Sequence, residues 1–153
     1  MQPSCDLYLE DLRPGLRFQT GTITLSEDDI IGFAEGYDPQ YFHLDPDAAK
    51  GSAFGGLIAS GLQTLCVTLR LFFDLNLWEA AIIGSPGMNE IRWLKPVRPG
   101  DTLSSTVEFS EVRRSQSKPD RGVATTFHET RNQHGELVFS AVCLHMVRAR
   151  DAR

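Results

Sequence analysis

The sequence predicts an α+β domain in which an antiparallel sheet packs against one long helix. Residues 56–75 are apolar on almost every side, a pattern typical of a helix buried on most faces. Strand-like alternation follows over residues 80–85, 89–94, 102–112, 122–132 and 136–148. Because the turns between these strands are short, we expect an antiparallel meander with one face on the helix.

Length and composition indicate one globular domain over residues 1–153, with 41% hydrophobic and 23% charged residues. A formal net charge of -5 argues against a nucleic-acid partner, which needs a basic surface. Cys5, Cys66 and Cys143 are an odd number without metal-site spacing, so we expect neither a disulfide nor zinc. The N-terminus has acidic residues and no apolar stretch, which is unlike a secretion signal and predicts a cytoplasmic protein.

The elements before the long helix are shorter. Residues 1–14 are polar and without periodicity, and are expected to be a flexible N-terminal arm. Residues 17–25 predict a strand, and a capping-box pattern at Ser26 opens a short helix that ends near Gly36. Residues 47–50 predict one helical turn with Pro46 at its first position.

A membrane span is the alternative interpretation of the long apolar stretch. Arg70, Gln63 and Gly61 interrupt it, and no aromatic belt or basic loop flanks it. We therefore expect a buried helix and no membrane partner.

The candidate site lies just before this helix. Asp38 and His43 share a loop stiffened by prolines, and Gly55 and Gly56 are predicted to open the helix, whose free N–H groups would face the same place. An Asp and a His at this spacing are, by themselves, more typical of a solvated loop. Beside an anion-stabilising helix end they indicate an acid/base site.

Three stretches of the chain resemble the MaoC-like hydratases and dehydratases of the hot-dog fold, which include the (R)-specific enoyl-CoA hydratases. FAEGYDPQYFHLDPDAA resembles the family's hydratase motif, and Asp38 and His43 match its catalytic positions. FGGLIASG resembles the start of the central helix, and IRWLKPVRPGDTL resembles the strand and turn that follow it. The resemblance implies a curved antiparallel β-sheet wrapped around one long central α-helix.

The chain departs from the family motif between the two catalytic positions. The motif commonly carries Asn and then Pro where this chain has Gln40 and Tyr41. Gln40 keeps an amide on a longer side chain, so we expect it to retain a supporting hydrogen bond. The departure leaves the class unchanged and the substrate open.

The resemblance implies addition of water to an enoyl thioester, with acyl-CoA as the substrate and neither cofactor nor metal. The reaction needs a base, an acid and stabilisation of charge on the thioester oxygen. Asp38 and His43 would activate one water, and the Gly55 and Gly56 amides would bind the oxygen. Tyr41 and Phe42 either line an acyl pocket or only pack.

Two other functions stay open at this point: a non-catalytic acyl-CoA-binding or structural subunit, and a hot-dog thioesterase. Hot-dog thioesterases usually carry a carboxylate on or just before the central helix. Residues 48–73 contain no Asp or Glu, which argues against thioester hydrolysis.

Remaining charged residues and the assembly are less specified. His128, His134 and His145 have no partner spacing and are interpreted as surface or core residues. The basic residues either meet coenzyme A phosphates or form a solvated face, in two groups: Arg92, Lys95 and Arg98, and Arg113, Arg114 and Lys118. One meander cannot fully cover a long helix, and the resemblance implies that two subunits join their sheets edge to edge and complete each other's pockets. We therefore expect a homodimer or a multiple of it.

Overall fold

The computed structural model describes residues 6–150. A 3₁₀ turn at Leu9–Asp11 precedes five strands and four α-helices. These are β1 (Arg17–Thr24), α1 (Glu27–Tyr37), α2 (Tyr41–Leu44), α3 (Pro46–Ala49), α4 (Gly61–Phe73), β2 (Ile82–Trp93), β3 (Thr102–Arg114), β4 (Arg121–Arg131) and β5 (Leu137–Arg148).

The strands form one antiparallel sheet in the order β1-β3-β4-β5-β2. Strands β3, β4 and β5 are the predicted meander. The prediction was wrong for β2, which pairs with β5 at the far edge instead of with β3. The short turns therefore correctly predict that β3, β4 and β5 are neighbours. The longer connection over residues 94–101 carries the chain from β2, at one edge of the sheet, to β3, which lies beyond β5 and β4.

Helix α4 packs its buried side against the sheet, as the sequence predicted. Val67 and Leu71 belong to a core cluster with Leu103 and Phe139. Phe72, at the C-terminal end of α4, belongs to a second cluster with other sheet residues. The fold class is confirmed: one antiparallel sheet covers one long helix.

The start of the long helix differs from the prediction. Helix α4 begins at Gly61, and the preceding apolar residues are not helical because their backbone groups bond elsewhere. Ile58 N–H donates to the Phe42 carbonyl at 3.1 Å, and Ala59 N–H donates to the Val97 carbonyl at 2.8 Å. Ser60 then caps the helix by accepting from Leu62 N–H at 3.2 Å.

Several shorter predictions are confirmed. Strand β1, the Ser26 capping box of α1 and the turn α3 that begins at Pro46 lie where the sequence indicated them. The predicted strands over 80–85 and 89–94 are one edge strand, β2, with register shifts around Gly84 and Gly87. Pro86 is tolerated there because an edge strand needs fewer backbone donors.

The predicted flexible arm is packed over its described part. Leu9 and Leu12 are buried, and Leu9 lies against Gly122 of β4, where a Cβ would come within 2.6 Å of its side chain. Residues 1–5 of the arm lie outside the described residues. Within residues 6–150, no helix is long and apolar enough to cross a membrane.

Candidate active site

The two candidate acid/base residues lie side by side. Asp38 ends α1, and His43 lies in the short helix α2 and is buried. His43 Nε2 lies 3.3 Å from Asp38 Oδ2. Asp38 ends α1 and is followed by Pro39, and the chain then turns tightly in α2. This path brings the carboxylate and the imidazole together.

A backbone carbonyl fixes the orientation of the His43 ring. Nδ1 lies 2.7 Å from the carbonyl oxygen of Ile58, which can only accept, so we assign the proton to Nδ1. In the neutral ring, Nε2 then turns a lone pair toward the Asp38 carboxylate. Two acceptors at this distance are held together either by a proton between them or by a water molecule beside the pair that donates to both, so the pair is arranged to hold and move a proton.

The Asp38 carboxylate is held from two further sides. Ser60 Oγ donates to Oδ2 at 2.6 Å, and Gln40 Nε2 donates to Oδ1 at 2.7 Å. The Ser60 hydrogen bond is the largest cause that lowers the pKa of Asp38; the Gln40 bond and the His43 charge also lower it, while burial opposes them. The carboxylate is therefore kept ionised and oriented near neutral pH.

The glycine doublet does not occupy the position predicted for it. Gly55 and Gly56 lie in the loop before α4, because that helix begins at Gly61. Gly55 adopts φ +68°, a conformation that favours glycine, and Gly56 lies against Arg98, whose guanidinium donates to the Phe54 carbonyl at 2.6 Å. The doublet shapes this loop, and the amides at the helix start belong to Gly61 and its neighbours.

Helix α4 directs its N-terminus at the acid/base pair. Its first N–H groups have no partner within the helix, and Ser60 Oγ accepts only that of Leu62. Ser60, which binds Asp38, immediately precedes Gly61. The partial positive charge of the helix start therefore lies beside the candidate acid/base residues.

A cavity of about 540 Å³ opens at this place. Asp38, His43 and Gly61 line it, while most of its remaining wall is apolar. Phe42 both lines the cavity and packs against the core, whereas Tyr41 is exposed and forms a T-shaped ring contact with Phe42. The other apolar walls are Phe54, Ile58, Ala59, Leu62, Trp93, Leu94, Pro96 and Val97.

Two of the basic residues considered for coenzyme A phosphates, Lys95 and Arg92, are paired with carboxylates. Lys95 lines the cavity and forms an ion pair with Glu136, and the exposed Arg92 pairs with Glu90. Within residues 6–150, no group of three or more His, Cys, Asp or Glu side chains is arranged to hold a metal ion.

The other histidines lie outside this cavity. His128 and His145 are buried beside Phe72, and each ring bonds to Thr126 Oγ1, at 2.7 Å and 2.9 Å. Burial is the main cause that lowers the pKa of His128 to about 3 and that of His145 to about 4, so both rings are neutral. His134 is exposed in a turn, and the interpretation of all three as surface or core residues is confirmed.

Sequence reasoning missed four parts of the site: Ser60, the Ile58 carbonyl, Gly61 and Trp93. One of them had a signal. Ser60 and Gln63 have the spacing of a capping box, which would have placed the helix start correctly. The others depend on contacts between residues distant in the sequence.

The sheet, its single long helix and the Asp/His pair at the helix start define a hot-dog protein with a candidate acid/base site. A family model described as MaoC like domain matches residues 12–132. The chain therefore belongs to the MaoC-like family, which confirms the resemblance found in the sequence.

Relatives and solved structures agree with this assignment. The YdeM protein of Bacillus subtilis is 35% identical over 133 residues, covering 87% of this chain and 93% of its own. The crystal structure of a MaoC-like dehydratase from Rhodospirillum rubrum is 38% identical with a TM-score of 0.85, covering 95% and 99% of the two chains. The 3-hydroxyacyl-thioester dehydratase Z of Mycobacterium tuberculosis is 29% identical over 90 residues, covering 58% and 60%.

Proposed function

We propose that this protein is a hydro-lyase that adds water to an enoyl-CoA thioester, giving 3-hydroxyacyl-CoA, or catalyses the reverse. The observation that carries the proposal is the 3.3 Å approach of His43 Nε2 to Asp38 Oδ2, with the opposite ring nitrogen held by the Ile58 carbonyl. The dehydratase names of family members support the same reaction class.

Hydration uses one water molecule that lies beside the pair in contact with both Asp38 and His43. One O–H bond of the water breaks as the pair accepts the proton, and the oxygen bonds to the β-carbon of the enoyl group. The electrons of the double bond move toward the thioester oxygen. The carbonyl then re-forms as the α-carbon takes a proton from the pair, so that H and OH have been added across the double bond.

The thioester oxygen needs stabilisation while it carries this charge. The N–H group of Gly61 is the first of α4 and directly follows Ser60, whose hydroxyl donates to Asp38, so we assign this N–H as the donor to the oxygen. This assignment replaces the role expected for Gly55 and Gly56. A single backbone donor of this kind is worth about 10²–10³-fold in rate.

The cavity walls favour an apolar acyl group. Phe42, Phe54 and Leu62 line the same cavity as the acid/base pair, and the half-exposed Lys95 in its wall is available to a phosphate of coenzyme A if its ion pair with Glu136 opens. Thioester hydrolysis is disfavoured because residues 48–73, which include all of α4, contain no carboxylate.

The test is a panel of trans-2-enoyl-CoA esters of increasing chain length, followed by loss of the conjugated absorbance. We expect turnover with at least one acyl group and negligible release of free thiol. Tight binding without turnover would favour the non-catalytic acyl-binding alternative. Rapid thiol release would favour the thioesterase.

We also propose a homodimer. The side of α4 that turns away from the sheet exposes Leu62 and Phe73, with 47% and 56% of their surfaces accessible, and Cys66 lies exposed between them. Strand β2 is an edge whose partner lies on one side only. A second copy that covers this helix face and edge would bury apolar surface that a monomer leaves in water.

A further inference from the structure

Trp93 contacts Gly61, the first residue of α4. This contact has no role in the family motif as described above or in the proposed mechanism. Its indole Nε1–H donates to the Gly61 carbonyl oxygen at 2.7 Å, across 32 positions of sequence. The ring lies directly against the Gly61 backbone. A Cβ at residue 61 would lie 2.6 Å from Nε1 and 2.7 Å from Cε2, so only glycine fits under the indole.

The position of the indole is set by the sheet. Trp93 is the last residue of β2, paired in register with Phe139 of β5, and the two ring centroids are 6.0 Å apart. Phe139 is fully buried in the core cluster that also contains Leu71 of α4. The indole therefore joins the end of β2 to the first turn of the helix.

Gly61 and Ser60 connect the Trp93 contact to the acid/base pair. Gly61 follows Ser60, and Ser60 Oγ holds Asp38 Oδ2 at 2.6 Å. Any tilt of the first turn of α4 would move both this hydroxyl and the N–H groups at the helix start. Trp93 and Gly61 also line the same cavity as Asp38 and His43.

We propose that Trp93 is a positioning residue: its indole clamps Gly61 and so fixes the helix start against the thioester oxygen and the Ser60–Asp38 hydrogen bond. This inference rests on the proposed hydratase function for its effect on rate. The contact between Trp93 and Gly61 does not depend on that function, so the contact and the function are tested separately.

The rate test uses Trp93→Phe, which keeps an aromatic wall and removes the N–H donor. We expect kcat for the best enoyl-CoA of the panel to fall by about 10- to 100-fold, since small displacements of catalytic groups cost up to about that much. KM should change by less than about threefold because the apolar wall is retained. A folded Trp93→Phe enzyme with wild-type kcat would overturn the proposal.

A double-mutant cycle tests whether Trp93 acts through Gly61. Gly61→Ala alone should lower kcat because the methyl group pushes the indole away. In the Trp93→Ala background the same change should cost almost nothing, since the space under the indole is then free. Gly32→Ala in α1, where a Cβ meets nothing within 4 Å, is the matched helical control and should leave kcat unchanged. Additive losses in the cycle would contradict the clamp.

The contact is measured without substrate by hydrogen exchange of the Trp93 indole N–H in a ¹⁵N-labelled protein, with its NMR signal assigned by its loss in Trp93→Phe. We expect protection in the wild type and faster exchange in Gly61→Ala. Exchange as fast as that of free indole would overturn the clamp, whatever the activity. If the wild type hydrates no enoyl-CoA, a protected indole supports the clamp while the proposed function fails.

Discussion

Ser60 Oγ lies 2.6 Å from Asp38 Oδ2 and 3.2 Å from the backbone nitrogen of Leu62. One hydroxyl therefore donates to the candidate catalytic carboxylate and accepts from the first turn of α4. The orientation of the carboxylate and the start of the helix are fixed by the same atom, so a change at residue 60 disturbs both.

Substitution Ser60→Ala should lower both activity and stability. Loss of the helix cap costs about 1 kcal/mol in the free energy of unfolding. Loss of the hydrogen bond to Asp38 should lower kcat by roughly 10-fold or more, because the carboxylate is then free to rotate. Steady-state kinetics and urea unfolding of the same preparation measure the two effects.

The control is Ser26→Ala. Ser26 caps α1 in the same way, accepting from Asp29 N–H at 3.1 Å, and it is exposed and not bonded to Asp38. We expect a similar stability loss with unchanged kcat. If both variants lose activity equally, the effect of Ser60 comes from helix capping alone and the account of its contact with Asp38 is wrong.

The Ser60 hydrogen bond also predicts a shift in the pH-rate profile. This bond is the largest cause that lowers the pKa of Asp38, and the mechanism needs the carboxylate ionised. The rate therefore falls as pH falls through the pKa of Asp38. In Ser60→Ala that pKa rises, so the acidic limb should move to higher pH, and an unmoved limb in the variant would contradict this assignment.

The sequence predicted the fold through patterns local to each element. Alternation in β3, β4 and β5 and the Ser26 cap of α1 need only neighbouring residues to be recognised. The start of α4 was misplaced because Ile58 and Ala59 fit a helical apolar pattern. Their backbone bonds to Phe42 and Val97, which no local pattern reveals, keep them out of the helix.

The site, like the fold, was predictable only where its signal lies in residues close together in the sequence. Asp38 and His43 were found by their spacing, and the structure brings them together. The Ile58 carbonyl that orients His43 carries no sequence signal, because any residue type supplies a carbonyl. Trp93 reaches Gly61 only after β2 has paired with β5, so its contact depends on the finished sheet.

The buried histidines predict a loss of stability in mild acid. The pKa is about 3 for His128 and about 4 for His145 in the folded protein, against about 6.5 when unfolded. The unfolded chain therefore binds more protons as pH falls from about 6.5 toward these values. Each ring should lower the free energy of unfolding by up to about 1.4 kcal/mol per pH unit in that window.

Urea unfolding between pH 7 and pH 4.5 measures this slope. His128→Gln should reduce it, because one neutral buried imidazole has been removed, although the variant will be less stable at every pH. His134→Gln, at an exposed turn, should leave the slope unchanged. A slope that is the same in His128→Gln and wild type would contradict the assignment.

The proposed dimer predicts a concentration-dependent mass. Sedimentation velocity at micromolar concentration should give twice the 17.0 kDa chain mass. Phe73→Asp, on the exposed side of α4, should shift the protein toward the monomer, because burying a carboxylate in an apolar interface is unfavourable.

The matched control for the dimer is Phe127→Ser. Phe127 is also an exposed aromatic residue, and it lies in β4 next to His128, whose side chain points to the opposite, helix-facing side of the sheet. We expect this variant to keep the wild-type mass. A wild-type protein that sediments only as a monomer at micromolar concentration would be evidence against the dimer.

In the proposed mechanism, Asp38 and His43 act together on one water molecule. The most direct measurement is kcat for hydration of the best enoyl-CoA by Asp38→Asn, His43→Gln and the double variant, with folding checked by urea unfolding. Each single variant should lose about 10²–10⁴-fold, and the double variant should be little worse because both residues serve one step. Wild-type-like turnover in either single variant would contradict the mechanism.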